Sequence, residues 1–402
     1  MTNSYRELFN ANGTKSFSLA GLLARIPLPM TGIGIITMLS QLRNSYGLAG
    51  AVAATFVLTF ALMSPQISRL VDRHGQNRIL PIAAGISVLG ILLLLAFSYW
   101  QMPDWTLFIG AVLAGFIPSM SAMVRARWTA IYRGKSHLQT AYSLETVFDE
   151  ITFIAGPPLS VGLSVAVFPQ AGVLVAAVLL AIGVMIFVAL RGTEPPVEQH
   201  NVVIGNTSSV IRLSDVRLLT LLMIAMGIIV GTVDIVSVAF AKQMGQPTGA
   251  SFVLSAYAIG SCLAGLLFGA LKLKTPLHQL LLLGGLATAA TTLPFLLVSN
   301  IASLACTVFI AGLFFAPTMI VVMSLVERIV PENQLTEGMT WVLAGLNVGV
   351  ALGAAASGQV VDMESARGGF IVSLIAGGIV VFVALWGYRR MQEYSSETQC
   401  ST

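Results

Sequence analysis

The chain has 402 residues, 56 % of them hydrophobic and 9 % charged, with a formal net charge of +4. Soluble domains carry about 25 % charged residues, so this composition, with a mean hydropathy of +0.87, excludes a water-soluble globular protein and defines an integral membrane protein. The mild positive balance implies no nucleic-acid partner, and Cys262, Cys306 and Cys400 have neither metal-ligand spacing nor the pattern of a disulfide framework.

The N-terminus is polar up to Lys15, and the apolar run that follows is long enough to span rather than to be removed, so no cleavable signal is expected. Runs of about 20 apolar residues, the length a spanning helix needs, recur twelve times. The first six cover 16–40, 49–71, 79–99, 105–124, 141–165 and 171–190; the second six cover 218–241, 250–271, 277–299, 301–326, 335–361 and 369–388. The interval 191–216 contains Pro195-Pro196 and a run of Asn, Gly, Ser and Thr, which reads as a linker rather than a domain. It separates a first bundle, 1–190, from a second, 217–390, and leaves a tail at 391–402. A glycosylation sequon at Asn206-Thr207-Ser208 falls within the linker, on a side where it has no meaning.

Positive residues set the orientation. With the N-terminus inside, the cytoplasmic face carries seventeen of the 21 Lys and Arg residues, including Arg69, Arg73, Arg78, Arg125, Arg127, Arg133 and Arg191, while the outer face carries Arg43, Lys242 and Arg367. That asymmetry predicts both termini in the cytoplasm, in a plasma or inner membrane. Trp100 and Trp105 flank a short outer loop and read as interface anchors.

The fifth span holds the least expected chemistry. Its sequence from 138 to 162, LQTAYSLETVFDEITFIAGPPLSVG, buries Glu145, Asp149 and Glu150 in an apolar helix. A charge near a bilayer centre costs roughly 3 kcal/mol, so such residues face a bundle interior or a water-filled cavity and mark a functional site. Shifted by 197 residues, the stretch overlays 335–359, pairing Gly156 with Gly353, Ser160 with Ser357 and Glu150 with Asn347. Both copies carry small residues at four-residue spacing (Thr152, Gly156, Ser160; Gly349, Gly353, Ser357), which lets helix backbones approach closely. Parallel repeated halves are a transporter architecture.

The loop between spans two and three reads Ser68-Arg69-Leu70-Val71-Asp72-Arg73-His74-Gly75-Gln76-Asn77-Arg78. It resembles the signature loop of the major facilitator superfamily, G-x-L-x-D-R-x-G-R-R, with the Asp72-Arg73-x-Gly75 core intact; Ser68 replaces the leading glycine, and Gln76-Asn77-Arg78 stands where the paired basics fall. The resemblance covers the whole chain and implies an all-α polytopic fold of two pseudo-symmetric six-helix bundles. It also implies a gating loop of Asp72, Arg73, Gly75 and Arg78 that latches the outward-facing state, and a central cavity lined by spans one, four, seven and ten. The corresponding loop between spans eight and nine, with Lys272 and Lys274, lacks the motif. Gly156-Pro157 resembles the centre of the superfamily's fifth-helix antiporter motif, G-x-x-x-G-P-x-x-G-G, with Thr152 at the first glycine and Ser160-Val161 at the last two.

The superfamily's mid-helix arginine is missing from 108–120 of span four, where arginines appear only at the cytoplasmic end. Proton coupling and translocation are therefore assigned to Arg25 in span one, Asp149 and Glu150 in span five, and Asp234 in span seven. Arg25, buried between spans, needs a carboxylate, and Asp149, Glu150 and Asp234 are the candidates. Glu145, Arg125 and Arg127 are expected to form a cytoplasmic charge cluster; the same cluster offers an alternative, structural role for Asp149. No Walker loop, His-Cys cluster or nucleophile elbow occurs, so neither an enzyme, nor a cofactor, nor a metal is implied.

The expectation is a monomeric secondary transporter in the lipid bilayer that uses the proton gradient to export a small organic molecule, a drug or secondary metabolite. The alternative is a proton symporter taking up a sugar or similar nutrient. A receptor or scaffold derived from a transporter predicts an added soluble domain, which the sequence lacks.

Overall fold

The computed structural model describes residues 2–43, 45–135, 137–196, 209–246, 249–271, 275–363 and 365–400. Residues 197–208 of the linker, which include the sequon at 206–208, and the lysines at 272 and 274 lie outside them. Fifteen α-helices run through the described residues: α1 Thr2–Leu8, α2 Thr14–Arg25, α3 Pro27–Arg43, α4 Tyr46–His74, α5 Gln76–Tyr99, α6 Asp104–Ala114, α7 Met120–Tyr132, α8 His137–Ala166, α9 Ala171–Ala189, α10 Ser214–Gln243, α11 Gly249–Ala270, α12 Leu277–Ala290, α13 Ile301–Ile329, α14 Leu335–Met363 and α15 Phe370–Cys400. The described residues contain no strand. This is the all-α polytopic fold expected.

Among the described residues, ten helical segments are long and apolar enough to cross a membrane. The two remaining expected spans depart from that pattern for visible reasons. The fifth, α8, is 30 residues long but diluted by its acids, serines and the Pro157-Pro158 pair. The fourth is broken: α6 stops at Ala114, residues 115–119 are not helical, and α7 begins at Met120. Pro118 has no N–H to give, and Ser119 caps the new helix by accepting from the backbone of Ala122 (3.1 Å) and Met123 (3.2 Å). The first span is likewise jointed at Ile26, ahead of Pro27.

Two compact units divide the chain. One comprises residues 1–138, 148–207 and 332–340; the other comprises 139–147, 208–331 and 341–402. In the first, α5 packs on α6 and α9, α3 on α4 and α9, and α2 on α7 and α9. The break in span four is clamped there: Ser87 of α5 donates to Ala114 O (2.6 Å), and a methyl on Gly90 would lie 2.2 Å from Ala114 N. The short α1 docks beside α7, where Trp128 packs edge-on against Phe17 (4.7 Å) and Tyr132 donates to Leu8 O (2.9 Å).

In the second unit α11 packs on α13, and α10 and α12 on α15. Its core gathers Val233, Val236, Phe240, Leu304 and Val308 around a stacked Phe295–Phe370 pair, 4.8 Å apart. A methyl added to Gly349 or Gly353 would sit 2.1 or 2.2 Å from Ile224 O or Ile228 O, so α14 and α10 touch backbone to backbone. In the first unit, Gly156 similarly faces Pro29, 2.9 Å from where a Cβ would stand. With lipid as apolar as the interior, such van der Waals contact is what holds helices together. Outward faces carry exposed Leu62, Ile82, Met185, Leu283 and Phe382, which suit acyl chains.

The helix α15 continues to Cys400, through residues the sequence assigns to a tail. That stretch has no Gly or Pro to stop a helix.

Candidate functional site

Asp149 is the centre of a buried charge cluster. It stands on α8, and three side chains from two other spans converge on its carboxylate. Arg25 Nη1 lies 3.1 Å from Oδ1, Arg125 Nη2 lies 2.7 Å from Oδ2, and Ser121 Oγ donates to Oδ1. The arginine side chains are 3 % and 0 % exposed and the aspartate 14 %, so solvent barely screens the cluster. Local structure explains each position. Arg25 occupies the last turn of α2, where the helix dipole favours a cation. Ser121 occupies the first turn of α7, whose dipole favours the carboxylate it meets. Both helix ends exist only because spans one and four are jointed. Thr152, one turn on, donates to Asp149 O (2.7 Å) and steadies the backbone.

Of the three acids expected to meet Arg25, the structure brings Asp149 to it. Glu150 is half-buried on the next position of α8, about 100° round the helix. Glu145 is fully buried, and Asp234 is exposed on α10. Both belong to the second unit.

Arg125 pairs with Asp149, while Arg127 is held at the end of α9. Arg127 Nε donates to Gln76 Oε1 (2.8 Å), Nη1 to Leu190 O and Thr193 Oγ1 (2.8 Å each), and Nη2 to Phe187 O (3.1 Å). Its guanidinium also lies 3.8 Å over the Phe187 ring. Arg127 is thus a cap on the carbonyl end of α9.

The turn between α4 and α5 forms a second polar group. Gly75 has φ 90° and ψ 154°, backbone that only glycine adopts readily. It reverses the chain in one residue and leaves Asp72 at the α4 end. Asp72 accepts from the backbone of Thr336 (3.3 Å) and Glu337 (2.8 Å) in the first turn of α14. Ser68 and Thr340 hydroxyls lie 2.7 Å apart, and Arg69 Nε stands 3.8 Å from Glu337 Oε2. Arg73 and Arg78 are exposed on either side of the turn.

Sequence reasoning passed over Ser121, Thr336 and Glu337, and the break that sets Ser121 in place. The signal for the break was Gly115 followed by Pro118. Among the described residues, no three His, Cys, Asp or Glu side chains gather where they could hold a metal ion.

The chain belongs to the Major Facilitator Superfamily, whose family model matches residues 17–247 and 218–399. No curated protein matches the sequence. Among solved structures, a bacterial homologue of the iron transporter ferroportin in its outward-facing state superposes with a TM-score of 0.76 at 15 % identity, covering 94 % of this chain and 99 % of that one. FucP, a major facilitator transporter in the outward conformation, gives a TM-score of 0.68 at 13 % identity, covering 92 % and 98 %. The human organic anion transporter MFSD10 gives 0.69 at 12 % identity, covering 94 % and 100 %. At these identities the likeness is one of fold. The protein is a multi-pass membrane transporter, not an enzyme.

Proposed function

We propose that the protein is a proton-coupled exporter of a small organic molecule, working by alternating access. The observation that carries this reading is the Asp149 carboxylate held by Arg25, Arg125 and Ser121 from two other spans of the same unit. Such an ion-paired node locks α2, α7 and α8 together while the carboxylate is charged, and a proton delivered beside it loosens the lock. Glu150, adjacent on α8, is the proton carrier; Asp149 holds the bases, and Asp234 is the acid that α10 contributes. The Gly156-Pro157 segment, pressed onto Pro29 at the joint of span one, links movement of α8 to that of α3. The Asp72 contacts to the start of α14 serve as the gate. The intact Gly-Pro centre of the antiporter motif favours export over uptake.

The test uses the purified protein in proteoliposomes with an imposed pH gradient and a panel of fluorescent amphiphilic compounds. Wild type moves at least one compound against its gradient in exchange for protons. Glu150→Gln abolishes gradient-driven transport but spares counterflow exchange. Uphill movement by Glu150→Gln with unaltered pH dependence overturns the carrier assignment. Movement of compound and protons in the same direction overturns export in favour of symport.

A further inference from the structure

Where α4 ends, α5 begins and α9 gives way to a short 3-10 turn, the first unit contains a cavity of about 480 Å³. Arg73 and His74 come from the end of α4, Asn77 and Arg78 from the start of α5, and Arg191 and Glu194 from the segment after α9. Three guanidinium groups from three separate elements thus meet one carboxylate around a space far larger than a single water.

The wall is built rather than incidental. Arg127 fixes the turn that carries Arg191 by holding Leu190 O and Thr193 Oγ1, and Gly75 fixes the angle between Arg73 and Arg78. Glu194 Oε1 accepts from the backbone N–H of Asn77 (2.9 Å). That places the chain's own anion at the N-terminus of α5, where backbone donors and the helix dipole favour negative charge. His74 Nδ1 is 3.1 Å from Leu70 O, which sets the ring.

We propose that this cavity is a binding site for a phosphate group, separate from the Asp149 node and independent of the cargo carried there. Guanidinium forks match phosphate oxygens in pairs, and a basic pocket at the ends of membrane helices suits a phosphorylated head group or a soluble phosphorylated compound equally. The volume falls within the range of small-molecule sites, so it has room for a ligand larger than a bare phosphate ion. Glu194 is the internal competitor: it occupies one helix-end donor and offsets one of the three arginine charges.

Two arms separate the sources. In the first, full-length protein in phosphatidylcholine nanodiscs is titrated with pyrophosphate, and binding is read by calorimetry. In the second, nanodiscs of phosphatidylcholine alone and of an equal mixture with phosphatidylglycerol are compared by native mass spectrometry for retained lipid. Binding of pyrophosphate identifies a soluble source; selective retention of phosphatidylglycerol alone identifies the lipid. In whichever arm binds, Arg78→Gln and Arg191→Gln each weaken binding about tenfold, whereas Arg217→Gln, at an exposed arginine of α10 that does not line the cavity, leaves it unchanged. Glu194→Gln keeps an acceptor for Asn77 but removes the competing charge, so it tightens binding, a direction that a folding defect cannot mimic. The proposal is overturned if wild type binds neither probe, if the Arg78→Gln/Arg191→Gln double variant binds as wild type does, or if Glu194→Gln binds equally or more weakly.

Discussion

At the residue scale, the protein concentrates its cost in one place. Two guanidinium groups and a carboxylate, all but sealed from solvent, are expensive to desolvate, and their geometry must return that cost. Ser121 contributes one of the short contacts to Asp149, and a hydrogen bond to a charged group is worth about 1.5 to 3 kcal/mol. Ser121→Ala is expected to lower stability by that amount in a thermal-shift assay on the detergent-solubilised protein, while Ser121→Thr retains it; equal melting of Ala and wild type would mean that the hydroxyl does not support the carboxylate. Arg125→Leu removes a whole partner from a buried pair, and the expected loss is larger, about 3 to 5 kcal/mol, read as a drop in folded protein after extraction. The acids of α8 were legible in the sequence because a charge in an apolar helix stands out. Arg25 and Arg125 were legible as bases for such an acid, but Ser121 was not: serine is ordinary in a membrane helix, and the break in span four that sets it in place is not apparent if the span is counted as one unbroken helix.

At the scale of elements, close backbone contact is what the sequence marks with small residues and what the structure uses. Helix α5 offers an internal comparison. Gly85 has nothing within 4 Å of an added methyl, while at Gly90 the methyl would meet Ala114 N at 2.2 Å. Gly85→Ala should therefore stabilise by about 0.5 to 1 kcal/mol through helix propensity, whereas Gly90→Ala should destabilise by more than that, because the clamp on the broken span must open. The same sign for both variants in denaturation would reject the clamp.

The α4–α5 turn also tests itself. Asp72 accepts two backbone N–H groups at the start of α14, the contact a helix N-terminus offers an anion. Asp72→Asn keeps one acceptor and loses the charge, so the gate should weaken by about 1 to 2 kcal/mol, shifting the populations of its two states. Accessibility labelling of cysteines placed along spans one, four, seven and ten, expected to line the transport path, would report the shift, and an unchanged pattern together with wild-type transport would exclude a gating role. Pro27, Pro118 and Pro157 were all visible as letters, yet they act differently. Pro27 and Pro118 separate helices, while Pro157 lies inside α8. What decides is whether neighbouring helices support the gap, as Ser87 and Gly90 do for span four, and that support comes from residues distant in sequence.

At the scale of the molecule, composition and charge distribution carry the argument for orientation. Apolar segments specify that helices insert, and the bias of Lys and Arg among short loops specifies which way round. Seventeen of 21 basic residues fall on one side when the N-terminus is placed inside. The opposite side carries the turn between α5 and α6, where Tyr99, Trp100 and Trp105 are 70, 69 and 65 % exposed, the aromatic belt expected at a membrane interface. Gln101, at the tip of that turn, adopts φ 52°, and its backbone sits between helices rather than within one, so a short tag there leaves both helices whole. A tag at Gln101 should report the outer side and one at Gln399 the cytoplasm. Replacing Arg73, Arg78 and Arg191 together with glutamine leaves most of the bias in place, so the reported sides should stay fixed even though the phosphate cavity is stripped of its bases. A cytoplasmic Gln101 in wild type would overturn the orientation. A Gln101 that changes sides only in the triple variant would instead show that these three arginines set topology, and would move their principal role from ligand binding to insertion.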